Sequence, residues 1–156
     1  MRLISRHFDV FADYFQFYVC DACFETDPGL LWDESTTAQM LALGPDLIAV
    51  GTARNMTVPV DVEILNAPPA PDLDDWDQVI DCGVSLPSGN LIVFGCTENS
   101  DDAERLGLEP GDYAARISYA NLDALSDDGL EGDDRYRVQL WRADMPPIAV
   151  LKVRSE

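Results

Sequence analysis

The sequence predicts an all-β fold: an antiparallel β-sandwich of about seven to nine short strands with one short helix. Three observations predict it. Stretches in which apolar and polar residues alternate recur along the chain, as they do where a strand buries one face. Turn residues punctuate them, at Asp27-Pro28-Gly29, Pro87-Ser88-Gly89 and Glu109-Pro110-Gly111-Asp112. Helix start and stop signals occur together in only one segment.

The clearest strand is Asp134 to Arg142. Tyr136, Val138 and Leu140 fall on one face, and Arg135, Arg137, Gln139 and Trp141 on the other. Gly111 to Tyr119 repeats the pattern, with Tyr113, Ala115, Ile117 and Tyr119 on one face. These two segments are expected to be antiparallel neighbours.

The remaining elements follow in chain order. Ala12 to Val19 reads as a strand covered on both sides, with Phe15, Phe17 and Val19 in one row and Tyr14, Gln16 and Tyr18 in the other. Trp32-Asp33-Glu34-Ser35 leads into an apolar run, Ala38 to Leu43, that stops at Gly44-Pro45. A Ser or Thr cap, an acidic first turn and that stop describe the helix. Leu47 to Ala53 is a strand, and so is Thr57 to Leu65, with Val58, Val60, Val62 and Ile64 inward. Pro59 cannot donate a ladder hydrogen bond, which puts that strand at an edge or turns the proline away from its partner. Trp76 to Leu86 and Gly89 to Thr97 read as a hairpin around Pro87-Ser88-Gly89. Glu98 to Leu106 is an acidic connection with a helical turn, and Ile148 to Val153 closes the chain. At 156 residues, one domain spanning 1–156 is expected.

Charge is the strongest compositional signal. The chain carries 10 Lys and Arg against 29 Asp and Glu, a formal net charge of −19. Residues 1–60 contribute −5, residues 61–110 contribute −11 and residues 111–156 contribute −3. A field of this sign repels nucleic acid and anionic lipid and draws in basic proteins. No apolar run approaches the roughly 18 residues of a membrane span. Met1 to Val10 lacks the apolar core of a secretory signal, so a cytoplasmic location is expected.

Cys20-Asp21-Ala22-Cys23 has the spacing of zinc and redox motifs, but its partners Cys82 and Cys96 are 14 residues apart. Small reduced hydrophobes are the better reading, with no metal or cofactor. His7, the one histidine, stands in no nucleophile motif, and no glycine loop opens a helix to cradle phosphate. The chain is therefore not read as an enzyme. The acidic clusters Asp72, Asp74, Asp75 and Asp77 around Trp76, Asp101 and Asp102, and Asp127, Asp128, Asp133 and Asp134 remain as candidate partner-binding residues. Their spacing does not fit the EF-hand loop.

Several segments together resemble the competence protein J family, inhibitors of a DNA-entry nuclease. They are Tyr14-Phe15-Gln16-Phe17, the Trp32 segment, the Val58-Pro59-Val60-Asp61-Val62 strand, residues 108–117 and the strand ending at Leu140-Trp141. Acidic stretches at 66–81 and 98–106 depart from that pattern. The resemblance implies an inhibitor and carries over no catalytic residue. The expectation is an acidic inhibitor or immunity-type protein, an antitoxin-like blocker, that occludes a basic nuclease or bacterial toxin. The alternative is a β-sandwich accessory module binding a small ligand or calcium.

Overall fold

Alternating side chains need two opposed sheets to bury one face each, and the computed structural model, which describes residues 2–153, has them. The elements are β1 (Arg2–Phe11), β2 (Gln16–Asp21), α1 (Glu34–Gln39), β3 (Leu41–Leu43), β4 (Leu47–Gly51) and β5 (Thr57–Leu65). Then come β6 (Gln78–Leu86), β7 (Asn90–Gly95), β8 (Leu106–Gly107), β9 (Gly111–Ala120), β10 (Arg135–Arg142) and β11 (Ala149–Lys152). One sheet has the order β1-β5-β10-β9-β6-β11 and the other β3-β4-β2-β7-β8. Every neighbouring pair is antiparallel except β5 and β10, which run parallel. The all-β sandwich with one short helix is thus the observed fold. Its strands number eleven among the described residues, because β1 stands where the sequence predicts no strand and β3 and β8 are too short to show any alternation.

β9 and β10 pair as the sequence predicts, with Tyr136 opposite Tyr119 and Val138 opposite Ile117. Their apolar rows join Val58, Val60 and Val62 of β5 in the main core. Tyr119 and Tyr136 are almost wholly buried, their rings edge to face at 5.9 Å. Each buried hydroxyl finds an acceptor, as it must to avoid a desolvation penalty of about 1–3 kcal/mol. Tyr119 Oη donates to Met40 O at 2.6 Å and Tyr136 Oη donates to Asp134 Oδ2 at 2.6 Å.

Three local expectations are corrected by long-range pairing, and of the two placements expected for Pro59 the sheet edge is excluded. The segment 12–19 is not one strand, because Asp13–Phe15 forms a 3-10 turn where the chain passes from one sheet to the other. From Phe17 onward, the strand is covered on both sides as anticipated. The helix ends at Met40, in the left-handed region at φ 60, and Leu41–Leu43 instead pairs with β4. Its cap is Asp33, which accepts from Thr36 N while Thr36 Oγ1 accepts from Asp33 N. Pro59 lies in an interior strand, and pairing of β5 with β10 begins one residue later at Val60, where a backbone donor is available again. Finally, β6 and β7 do not form a hairpin. β6 belongs to the six-stranded sheet and β7 to the other, so residues 87–89 bridge the two layers. Asp21 Oδ1 fixes that bridge by accepting from Ser88 N and Ser88 Oγ at 3.0 and 2.8 Å.

Candidate functional site

β5 and β6 run parallel with β10 and β9 between them, so the chain from 66 to 77 must recross the sheet. It does so as a strap over the outer face. Arg116 Nη1 donates to Pro69 O at 3.1 Å, and Lys152 Nζ donates to Leu73 O at 2.9 Å. Asp72 takes a two-pronged bond from Arg137, at 2.9 and 2.7 Å. That guanidinium holds the Asp72 carboxyl below the usual carboxylate range. Trp76 is buried, with the guanidinium carbons of Arg135 and Arg137 each 4.5 Å from its ring centre. The polar face of β10 is therefore turned inward, holding down the strap. Asp77 Oδ2 accepts from Leu122 N at 2.9 Å, which ties the strap to the next acidic loop. Asp74 and Asp75 remain exposed.

The β9–β10 connection, 121–134, lies at the same end of the sandwich as the start of β6, because β6 and β10 are parallel. Asp128 accepts from Ser126 Oγ and Leu130 N, bonds that hold its carboxyl below the usual range. Asp127, Asp128 and Asp133 are exposed. Asp134 is buried and accepts from Arg54 Nε at 2.5 Å. The 72–77 and 121–134 clusters therefore meet at one end of the molecule. Asp101 and Asp102 do not join them. They form an exposed 3-10 turn beside β7 and β8, on the flank where Arg6 and Glu104 approach to 3.4 Å.

At the end with the two clusters, the sequence conceals a second feature. Tyr14 and Phe15 both occupy the left-handed region, at φ 57 and φ 60, and are 68% and 52% exposed. This conformation costs a non-glycine residue about 1–2 kcal/mol. With Gln16, Trp32, Thr37 and Met40 they line a cleft of 480 Å³. Gln16 Oε1 fixes the walls by accepting from Trp32 Nε1 at 2.9 Å and Tyr18 Oη at 2.6 Å. Thr52 N donates to Phe15 O at 2.9 Å, Thr52 Oγ1 donates to Arg54 O, and Arg54 Nη1 donates to Leu130 O. This chain of bonds connects the cleft to the 121–134 loop. The aromatic residues were visible in the sequence, but their left-handed turn was not, since such residues rarely adopt it.

The four cysteines are free thiols, and Cys20 and Cys96 pack in one cluster apart from Cys82. Cys82 lies in the main core, where burial pushes its thiol up to about 12, whereas Cys20 lies in the cluster on the far side of the five-stranded sheet. Among the described residues, no group of three or more His, Cys, Asp or Glu is placed to hold a metal, and no helix is long and apolar enough to cross a membrane.

No family model and no curated protein matches the sequence. Two solved structures share the fold. ComJ from Bacillus subtilis, an inhibitor of the DNA degrading activity of NucA, superimposes with a TM-score of 0.66 at 13% identity, covering 92% of this chain and 98% of that one. The product of crocagin biosynthetic gene J gives a TM-score of 0.61 at 17% identity, covering 88% and 96%. The resemblance to competence protein J, carried by short strand motifs, thus holds for the fold as a whole.

Proposed function

We propose that this chain is an inhibitor-type protein, not an enzyme, that binds a basic partner and blocks its working surface. A nuclease is the leading partner class, and a bacterial toxin of similar charge is the next. The observation that carries the reading is the ComJ-like fold over nearly the whole chain, combined with a net charge of −19. The mechanism is occlusion. Exposed carboxylates occupy the positions where substrate phosphates would otherwise approach a basic cleft.

Asp74, Asp75, Asp127, Asp128 and Asp133 form the main contact set, and Asp101 and Asp102 steer from the flank. Asp72, Trp76, Asp77 and Asp134 shape the surface from beneath, through Arg137, Arg135, Leu122 and Arg54. Charge of this kind raises the association rate more than it deepens the complex. The reading places the protein in the cytoplasm, with neither nucleic acid nor membrane as its target.

A tagged chain used to capture partners from its native cell tests this. The captured protein should be basic and should degrade DNA, and adding an equimolar amount of this chain should stop that activity. A captured nuclease that keeps full activity in excess inhibitor, or a partner set with no basic protein, would overturn the proposal.

A further inference from the structure

We infer that the Tyr14–Phe15–Trp32 cleft receives an arginine side chain of a basic protein partner. The inference rests on the reading of a basic partner and adds where, and through which residue type, it is held.

Residues 7–53 contain no Lys or Arg and eight Asp or Glu. None of the five strands of the β3-β4-β2-β7-β8 sheet contributes a cation, and neither does α1. The cleft opens between these elements, with Asp13 and Asp33 adjacent in sequence to its aromatic walls. The charges these elements carry are of one sign, and Arg54, two residues beyond Thr52, is buried and paired with Asp134.

The chain's other two tryptophans each face an arginine. Trp76 lies between Arg135 and Arg137, and Arg116 stands 5.6 Å from the ring of Trp141. Trp32 has no such arginine among the described residues, although its ring lines an open cleft. A planar guanidinium stacks on aromatic faces while its edge donates to oxygens, which an ammonium does less well. Thr37 brings a hydroxyl to the lining of this site.

The cleft is also preorganised. Two adjacent non-glycine residues are held in the left-handed region with both rings facing solvent, and Gln16 is bonded to Trp32 and Tyr18 at once. Strained backbone that presents exposed aromatic groups is typical of a recognition site, because the binding geometry is set before the ligand arrives.

The test uses nona-arginine and nona-lysine peptides, which carry equal charge. A purely electrostatic surface binds them alike, whereas the cleft should bind nona-arginine about fivefold tighter. The Tyr14→Asn/Phe15→Asn variant removes both rings with a side chain that tolerates the left-handed region. It should lose most of the preference for nona-arginine, keeping only what the Trp32 ring supplies alone. Asp74, Asp75, Asp127 and Asp128 changed together to Asn should weaken both peptides and keep the preference. As a check needing no variant, nona-arginine should shift the Trp32 indole N–H resonance and leave those of Trp76 and Trp141 in place. Equal binding by the parent chain, no binding, a preference undiminished in the double variant, or an unmoved Trp32 signal would each overturn the inference. These readings need no natural partner. A failed capture experiment would therefore remove the inhibitor reading without deciding this one, and equal peptide binding would remove the cleft and leave charge-based inhibition standing.

Discussion

Arg54 and Asp134 are 80 residues apart in sequence, yet Arg54 Nε donates to Asp134 Oδ1 at 2.5 Å, with side chains 9% and 0% exposed. Asp134 also accepts from Tyr136 Oη, so one carboxylate ties the β4–β5 connection to the start of β10. Breaking a buried pair strands the surviving charge. Asp134→Ala should therefore cost about 3–5 kcal/mol in urea unfolding, and Arg54→Met combined with Asp134→Leu should recover part of it, the Tyr136 hydroxyl still lacking its acceptor. A single variant as stable as the parent would contradict this account of the site. Charge-neutralising sets designed to probe binding must leave Asp134 unchanged.

Asp72 and Arg137 form a looser version of the same link, since the Asp72 side chain is 47% exposed. Solvent screening limits what it contributes, so Asp72→Asn should cost less than about 1 kcal/mol at neutral pH. Arg137 lowers the folded-state value of Asp72, so its contribution is present above the unfolded value of about 3.9 and is lost as pH falls through the lowered one. The stability difference between parent and variant should accordingly vanish in strong acid. A difference that grows below pH 4 would be the wrong sign.

His7 provides a second pH handle with the opposite sign. Its ring nitrogens lie 2.8 Å from Asp61 and 3.0 Å from Asp9, and the bond to Asp61 does most to raise its value. A raised value stabilises the fold fully below the unfolded value of about 6.5, and that contribution is lost as pH rises through the folded one. His7→Gln should lower the melting temperature at pH 5.5 and leave it unchanged at pH 9. Titration of the His7 ring protons by NMR should give a midpoint above 6.5, and a midpoint below that would refute the assignment.

Thiol reactivity should follow burial. Cys23 is exposed and should react at once with a thiol reagent, Cys96 more slowly, and Cys20 and Cys82 only on unfolding. Four fast thiols in the native protein would contradict the packing of both sheets.

Much of the fold was legible from side-chain alternation. Tyr113, Ala115, Ile117 and Tyr119 announce β9 because a core face needs every second residue apolar. Alternation cannot say which sheet a strand joins. Pro87-Ser88-Gly89 suits a hairpin and an inter-sheet bridge equally well, and the deciding contact comes from Asp21, 67 residues away. The site divides in the same manner. Its charge was plain in the sequence, but the commitment of Asp72 and Asp134 to internal arginines depends on partners 65 and 80 residues distant. Nothing local marked Tyr14 and Phe15, whose conformation is set by tertiary context against their own preference.

If the exposed carboxylates recruit the partner, the association rate of the captured basic protein should separate the parent chain from a variant carrying Asn at Asp74, Asp75, Asp127, Asp128 and Asp133. Between roughly 0.05 and 0.5 M salt, the parent's rate should fall by about tenfold or more as the steering field is screened. The variant should start slower and depend far less on salt, with its melting temperature nearly unchanged. Parent and variant rates that coincide at every salt concentration would contradict the claim.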